Sequence, residues 1–190
     1  MNTPAHLIIA ASLYAKPDHT RVTIAALLGA LVPDLSLYVM AGVALFIMDI
    51  PGQVVFGELY FSDTWQMVFA IDNSMLLWGA GFVAALWLRA PIVTAFAGSG
   101  LVHVLCDFPL HHDDGRAHFW PISDWVFQSP VSYWDPNHWG HIVAPAEIML
   151  TVGLLALLYR RFYGLVARSV IVVAGMAQIA PAVLYWFAFA

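Results

Sequence analysis

The chain has 190 residues, of which 62% are hydrophobic and 10% charged, with a mean hydropathy of +0.79. A soluble domain usually carries about a quarter charged residues, so this composition excludes an ordinary water-soluble fold and indicates an integral membrane protein. The formal net charge of -5 offers no basic face, which sets nucleic acid aside as a partner, and the single cysteine, Cys106, excludes an intrachain disulfide.

The first apolar run, Asn2 to Ala15, carries Thr3 and Pro4 where a helix cap and first turn belong, and it is short for a span. No Lys or Arg precedes it, so a cleaved signal peptide is not expected. After a polar turn, Lys16 to Arg21, the stretch Val22 to Met48 is long enough to cross but is interrupted midway by Pro33-Asp34. A Pro-Asp pair at membrane depth must face protein or water. Asp49 to Gln66 reads as a loop, and Met67 to Leu88 as the next span, with Asp72, Asn73 and Ser74 near its start.

Arg89-Ala90-Pro91 predicts a tight turn into a helix running to about Phe108, where Pro109 discourages continuation. A long loop rich in His, Asp and Trp follows, at about 109–140. The last two spans run from about His141 to Tyr159 and from about Val170 to Phe189. No repeat or linker divides the chain, so residues 1–190 form one domain. The expected fold is all-α: a polytopic integral membrane helical bundle of five spans plus one short N-terminal helix, in contact with membrane lipids.

If the short first helix also crosses, Lys16, Arg21, Arg89, Arg160, Arg161 and Arg168 fall on one side, which the positive-inside rule makes cytoplasmic. Arg116 alone falls opposite. The same topology gathers His6, Asp72, Asn73, His103 and Asp107 near the outer ends of their helices, with Asp34 near mid-membrane and Glu147 slightly inside the outer boundary. One outward-facing polar pocket would collect them.

The densest polar stretch, His103 to Pro121, packs four histidines and three aspartates into an apolar chain. His103 and Asp107, four apart on a helix, share one face, and an imidazole and a carboxylate so placed suit zinc, manganese or iron. The alternative is a His–Asp hydrogen bond between helices. Beyond the break, His111-His112-Asp113-Asp114 and His118 offer further ligands. Adjacent histidines cannot easily face one ion, so one of His111 and His112 is expected to ligate, with Asp113 or Asp114 orienting it; a solvated loop is the alternative.

His6 and Asp34 are costly polar residues in apolar helices, and each makes sense as the partner of the other. Glu147 is either a ligand or general base, or else part of a salt bridge or hydrogen bond. His138 and His141 flank a helix start, where surface histidines are common. The loop aromatics, Phe119 to Trp139, suit an interfacial lid or a lipid-like ligand.

The order of these motifs resembles the bacterial inner-membrane metal-dependent hydrolases (the YdjM-like group), over roughly residues 3 to 121. The matching positions are Thr3 and His6, Gly29 with Pro33-Asp34, Ser74, His103 with Asp107, and Gly115 with Pro121. Where the family pattern places His before Ser, this chain has Asn73, preceded by Asp72. Asn is a poor transition-metal ligand, so Asp72 or a loop histidine takes its place, or that half of the site is lost.

The resemblance implies metal-dependent hydrolysis, and a looser likeness to zinc-dependent phospholipases C extends this to phosphoesters. The expected ligands are His6, Asp34, His103, Asp107, His111 or His112, and His118, holding zinc, with manganese or iron as alternatives. Asp72 or Glu147 is the expected general base, and the substrate is a phosphoester or lipid-like molecule at the non-cytoplasmic face. Two other readings use the same residues: a metal-binding or transport protein, and a structural membrane protein whose His and Asp residues only join helices.

Overall fold

The computed structural model describes residues 1–189, with side chains described for residues 1–181 and for Val183. Secondary structure among the described residues is entirely helical: α1 (Thr3–Tyr14), α2 (Thr20–Phe46), the short α3 (Gly52–Val54) with a π-helical turn (Val55–Leu59), α4 (Asp63–Asp72), α5 (Met75–Trp87), α6 (Pro91–Asp107), α7 (Gly140–Arg161) and α8 (Leu165–Phe189). Residues 108–139 carry only a 3-10 turn, Pro136–His138.

Each boundary has a local cause. Pro4 sits in the first turn of α1 and Pro91 opens α6, where a missing N–H costs nothing. Arg89 takes a left-handed conformation, φ 51°, at the reversal between α5 and α6. The expected span over Met67 to Leu88 is broken in two at Asn73-Ser74. Ser74 Oγ caps α5 by accepting from Leu77 N at 3.1 Å, while Asn73 Nδ2 donates to the carbonyls of Phe69 and Pro33 at 3.0 and 3.2 Å. Those side-chain bonds replace the helical ladder across the break.

Three stretches are long and apolar enough to cross a membrane: Thr20–Phe46, Asp63–Trp87 taken across the break, and Gly140–Arg161. Of the five expected spans, three meet that length and composition among the described residues. Thr3–Tyr14, Pro91–Asp107 and Leu165–Pro181 are shorter apolar helices. The 17 residues of α6 rise about 25 Å, just under a hydrocarbon core of about 30 Å.

The bundle is built around the α2–α6 pair, and small residues set their separation. Ala25, Ala26, Gly29 and Ala30 are buried on α2, as are Ala95, Ala97, Gly98, Ser99 and Gly100 on α6. A Cβ at Gly29 would lie 2.0 Å from the Phe96 carbonyl oxygen, so backbone meets backbone there. At Gly98 it would meet the Tyr14 hydroxyl of α1 at 2.2 Å, and at Gly100 the Trp78 ring of α5 at 2.3 Å. Three neighbours thus close on α6 through glycine, leaving its C-terminal residues, His103 and Asp107, fixed against α1 and α2.

Charge is segregated along the bundle. The Arg161 guanidinium donates to the Ser12 and Ala15 carbonyls at 2.9 Å, ending α1, and Lys16, His19 and Arg89 line one shallow depression beside it. Arg116 lies at the opposite end, over the rings of Tyr60 and Phe69.

Replacing Gly29 by Ala is expected to destabilise the protein by about 1–3 kcal/mol through overpacking against backbone. Gly42→Ala, where a Cβ meets nothing within 4 Å, is expected to be close to neutral. Thermal unfolding in detergent, read by helical circular dichroism, checks both.

Candidate metal centre

Four segments meet where α6 ends. The N-terminal turn of α1 brings Thr3 and His6, the middle of α2 brings Asp34, α6 brings His103 and Asp107, and the following loop brings His111. His6, His103 and Asp107 are buried, and their ligand atoms all lie within 4.8 Å of one another. The two imidazoles stack, with centroids 3.5 Å apart and planes 8° from parallel. Asp107 receives both: Oδ1 is 3.0 Å from His6 Nε2 and Oδ2 is 3.2 Å from His103 Nε2. Oδ1 also lies 2.5 Å from the Met1 amino nitrogen.

The tautomer of His103 is set by the backbone. Pro33 has no N–H for the Gly29 carbonyl and crowds that turn of α2, and the next carbonyl, Ala30, accepts from His103 Nδ1 at 2.6 Å. A carbonyl only accepts, so Nδ1 carries a proton, and Nε2 faces Asp107 Oδ2 and Asp34 Oδ1, the latter 3.6 Å away. Two carboxylates around one ring nitrogen call for positive charge there, either a second proton on Nε2 or a bound cation. His103 Nε2 and both His6 nitrogens are accordingly buried without a hydrogen-bond partner, an arrangement that is expensive to leave uncompensated. The donor set, two imidazoles and a carboxylate with a second-sphere carbonyl, suits a divalent transition metal.

Neighbouring residues continue the pattern. Asp34 Oδ2 accepts from Thr3 Oγ1 at 2.5 Å, and Thr3 Oγ1 also contacts the Tyr38 hydroxyl at 2.6 Å, so Oδ1 is the oxygen left for the centre. His111 places Nδ1 3.0 Å from Asp114 Oδ1 and Nε2 3.6 Å from Asp107 Oδ2. Burial alone would push the His111 imidazole down, but the Asp107 and Asp114 carboxylates outweigh it and raise its pKa. His118 is tied through Nδ1 to the Arg116 carbonyl at 2.8 Å, and its Nε2 is buried and unpartnered. Burial lowers its pKa to about 4, keeping the ring neutral.

A cavity of about 510 Å³ opens onto Asp107, lined by the polar residues Asp34, His111, Asp114, Arg116 and His118 and by the apolar or aromatic Leu37, Tyr38, Phe56 and Phe61. His6 and His103 lie behind Asp107, away from the lining.

The remaining residues expected at the site lie elsewhere. His112 turns away from Asp107: its Nδ1 bonds the Ser129 carbonyl at 2.6 Å and its ring stacks on His138, which lies 2.6 Å from Asp135. His141 is exposed, beside the Pro136 carbonyl. Asp72 is one residue short of the lining, where Asn73 stands instead. Glu147 is buried but engaged: its Oε1 accepts from Asn2 N, Asn2 Nδ2 and Gln178 Nε2 at 3.2, 3.0 and 2.7 Å, joining the start of α1 to α7 and α8. The structure therefore does not bring Asp72 or Glu147 to the cavity as a base. Three partners went unread in the sequence: the Ala30 carbonyl, which has no side-chain signature, Tyr38, one helical turn beyond Asp34, and Arg116, which was read only as a topological marker.

Elemental analysis is expected to find a stoichiometric divalent metal in the wild type and in His112→Ala, and to lose it in His103→Ala and Asp107→Asn. Thr3→Val, which frees Asp34, is expected to weaken metal affinity by about 10–100-fold. Affinity is also expected to fall as pH drops below about 6.5, because histidine ligands must be unprotonated to bind. No protein-family model, curated protein or solved structure matches this chain.

Proposed function

We propose that the chain is a polytopic, membrane-embedded, metal-dependent hydrolase of the bacterial inner membrane, acting on a phosphoester or lipid-like substrate at the non-cytoplasmic face. This reading takes up the resemblance to the YdjM-like hydrolases. In it, α2, α4–α5, α6, α7 and α8 cross, with α1 as a short inner helix. The basic end lies in the cytoplasm and residues 108–139 cap the outer end.

One observation carries the reading: two buried imidazoles and a carboxylate converge with their ligand atoms within 4.8 Å of one another, and the carboxylate opens into a cavity. His6, His103 and Asp107 would hold the ion, with His111 beside them. When bound, a divalent ion such as zinc supplies Lewis acidity toward an ester or phosphoester oxygen and brings the pKa of water toward neutrality. Ala30 fixes the His103 ring, and Thr3 fixes the Asp34 carboxylate.

Asp34 is the proton acceptor in this scheme: it lines the cavity, and Thr3 holds its Oδ2, leaving Oδ1 toward the centre. Beneath the centre Gly29 packs on the Phe96 backbone and Gly98 on the Tyr14 ring, and this close contact favours a closed site over a carrier.

Purified protein is expected to hydrolyse p-nitrophenyl phosphate or a long-chain ester, to lose activity on chelation and to regain it with zinc. Asp34→Asn is expected to retain metal and to lower kcat by about 100- to 10,000-fold. Activity that survives complete metal removal would overturn the proposal, and loss of metal from Asp34→Asn would make Asp34 a ligand instead of a base.

A further inference from the structure

Among the described residues, Arg116 is the only Lys or Arg that lines the cavity. Its guanidinium lies over two aromatic rings, 4.2 Å from the Phe69 centroid and 4.7 Å from that of Tyr60, and Nη1 donates to the Asp114 carbonyl at 3.1 Å. Among the described residues no carboxylate pairs with it, although Asp113 and Asp114 precede it by three and two positions. Aromatic faces and a carbonyl hold the cation in place and occupy one of its five N–H donors, leaving the others without an anionic partner on the cavity wall.

The cavity is also lined by apolar residues. Leu37 and Tyr38 of α2, Phe56 of the π-helical turn and Phe61 just beyond it belong to the lining, and the two phenylalanines are 52% and 51% exposed. The cavity thus joins a guanidinium and the His–Asp centre to an apolar, partly exposed flank. A small hydrophilic ester would leave that flank wet, and a neutral lipid would leave the guanidinium without a counter-charge.

We infer that the cavity binds an amphiphile with an anionic phosphoryl head, the head on Arg116 and the hydrocarbon chain leaving past Phe56 and Phe61. This rests on the hydrolase reading for the fate of the head group, though binding is measurable without turnover. Four carboxylates (Asp34, Asp107, Asp113 and Asp114) line the same cavity and repel an anion. Head-group binding therefore follows loading of the His–Asp centre with a divalent cation, and Arg116 provides the bidentate recognition.

The test titrates zinc-equilibrated protein in dodecyl maltoside with dodecyl phosphate, dodecanol and inorganic phosphate by calorimetry. Dodecyl phosphate is expected to bind at least about 10-fold more tightly than either of the others, and Arg116→Gln to weaken it by about 10- to 100-fold with zinc content and dodecanol binding unchanged. Arg116→Lys is expected to fall between. Because Arg116→Gln also loses a ring contact, the Phe56→Ala/Phe61→Ala variant gives a second reading at exposed positions: it is expected to weaken dodecyl phosphate while leaving inorganic phosphate unchanged.

Equal binding of dodecyl phosphate and dodecanol, equal binding of dodecyl phosphate and inorganic phosphate, or binding unmoved by either variant would overturn the inference. Dodecyl phosphate bound through Arg116 without cleavage of any ester would support the inference while removing the hydrolase reading. Ester cleavage indifferent to Arg116 would do the reverse.

Discussion

Asp107 is the constraint on which the rest of the outer end depends. It closes an apolar helix, it is buried, and its two oxygens meet the Nε2 atoms of three histidines between 3.0 and 3.6 Å. A carboxylate placed there needs positive charge nearby. The Met1 ammonium reaches Oδ1, and with Nδ1 of His103 bonded to the Ala30 carbonyl, its Nε2 meets Asp107 either as a second donor or as a ligand to an ion held in common. Thr3 on Asp34, Arg116 O on His118 and Asp114 on His111 repeat the same device, each turning one polar atom outward so that the other faces the centre.

That geometry exists only because three helices approach closely below it. Gly29 lets α2 touch the backbone of α6, and Gly98 and Gly100 admit Tyr14 and Trp78. Glu147, clamped to Asn2 and Gln178, holds the start of α1 against α7 and α8, and with it Thr3 and His6. The small-residue stripe, the buried glutamate and the metal ligands therefore form one mechanical unit. Changes at Gly29 or Glu147 act on the centre by moving helices, without touching a ligand.

Much of this was legible in the sequence where local spacing carries the signal. The i, i+4 relation of His103 and Asp107, the Pro33-Asp34 interruption and the segregation of Lys and Arg each follow from helical geometry or charge, and the structure brings His6, Asp34, His103, Asp107 and His111 together. Other features depend on contacts that no local pattern encodes. The break at Asn73-Ser74 hides inside an apolar average, which is why one unbroken span was expected there. Glu147 stood out as a buried carboxylate, yet its partners lie 145 and 31 positions away. Which of His111 and His112 faces inward follows from the loop's fold onto Ser129 and His138, and Arg116 acquires its setting only when Tyr60 and Phe69 come beneath it.

The most direct test of the centre is X-ray absorption at the zinc edge on protein purified without a histidine tag and equilibrated with zinc. A first shell of nitrogen and oxygen donors with the multiple-scattering signature of at least two imidazoles is the expected result. Zinc that remains fully aquated, or binds through sulfur at Cys106, or does not bind at all, would contradict it. The buried His–Asp cluster would then be a set of hydrogen bonds between helices.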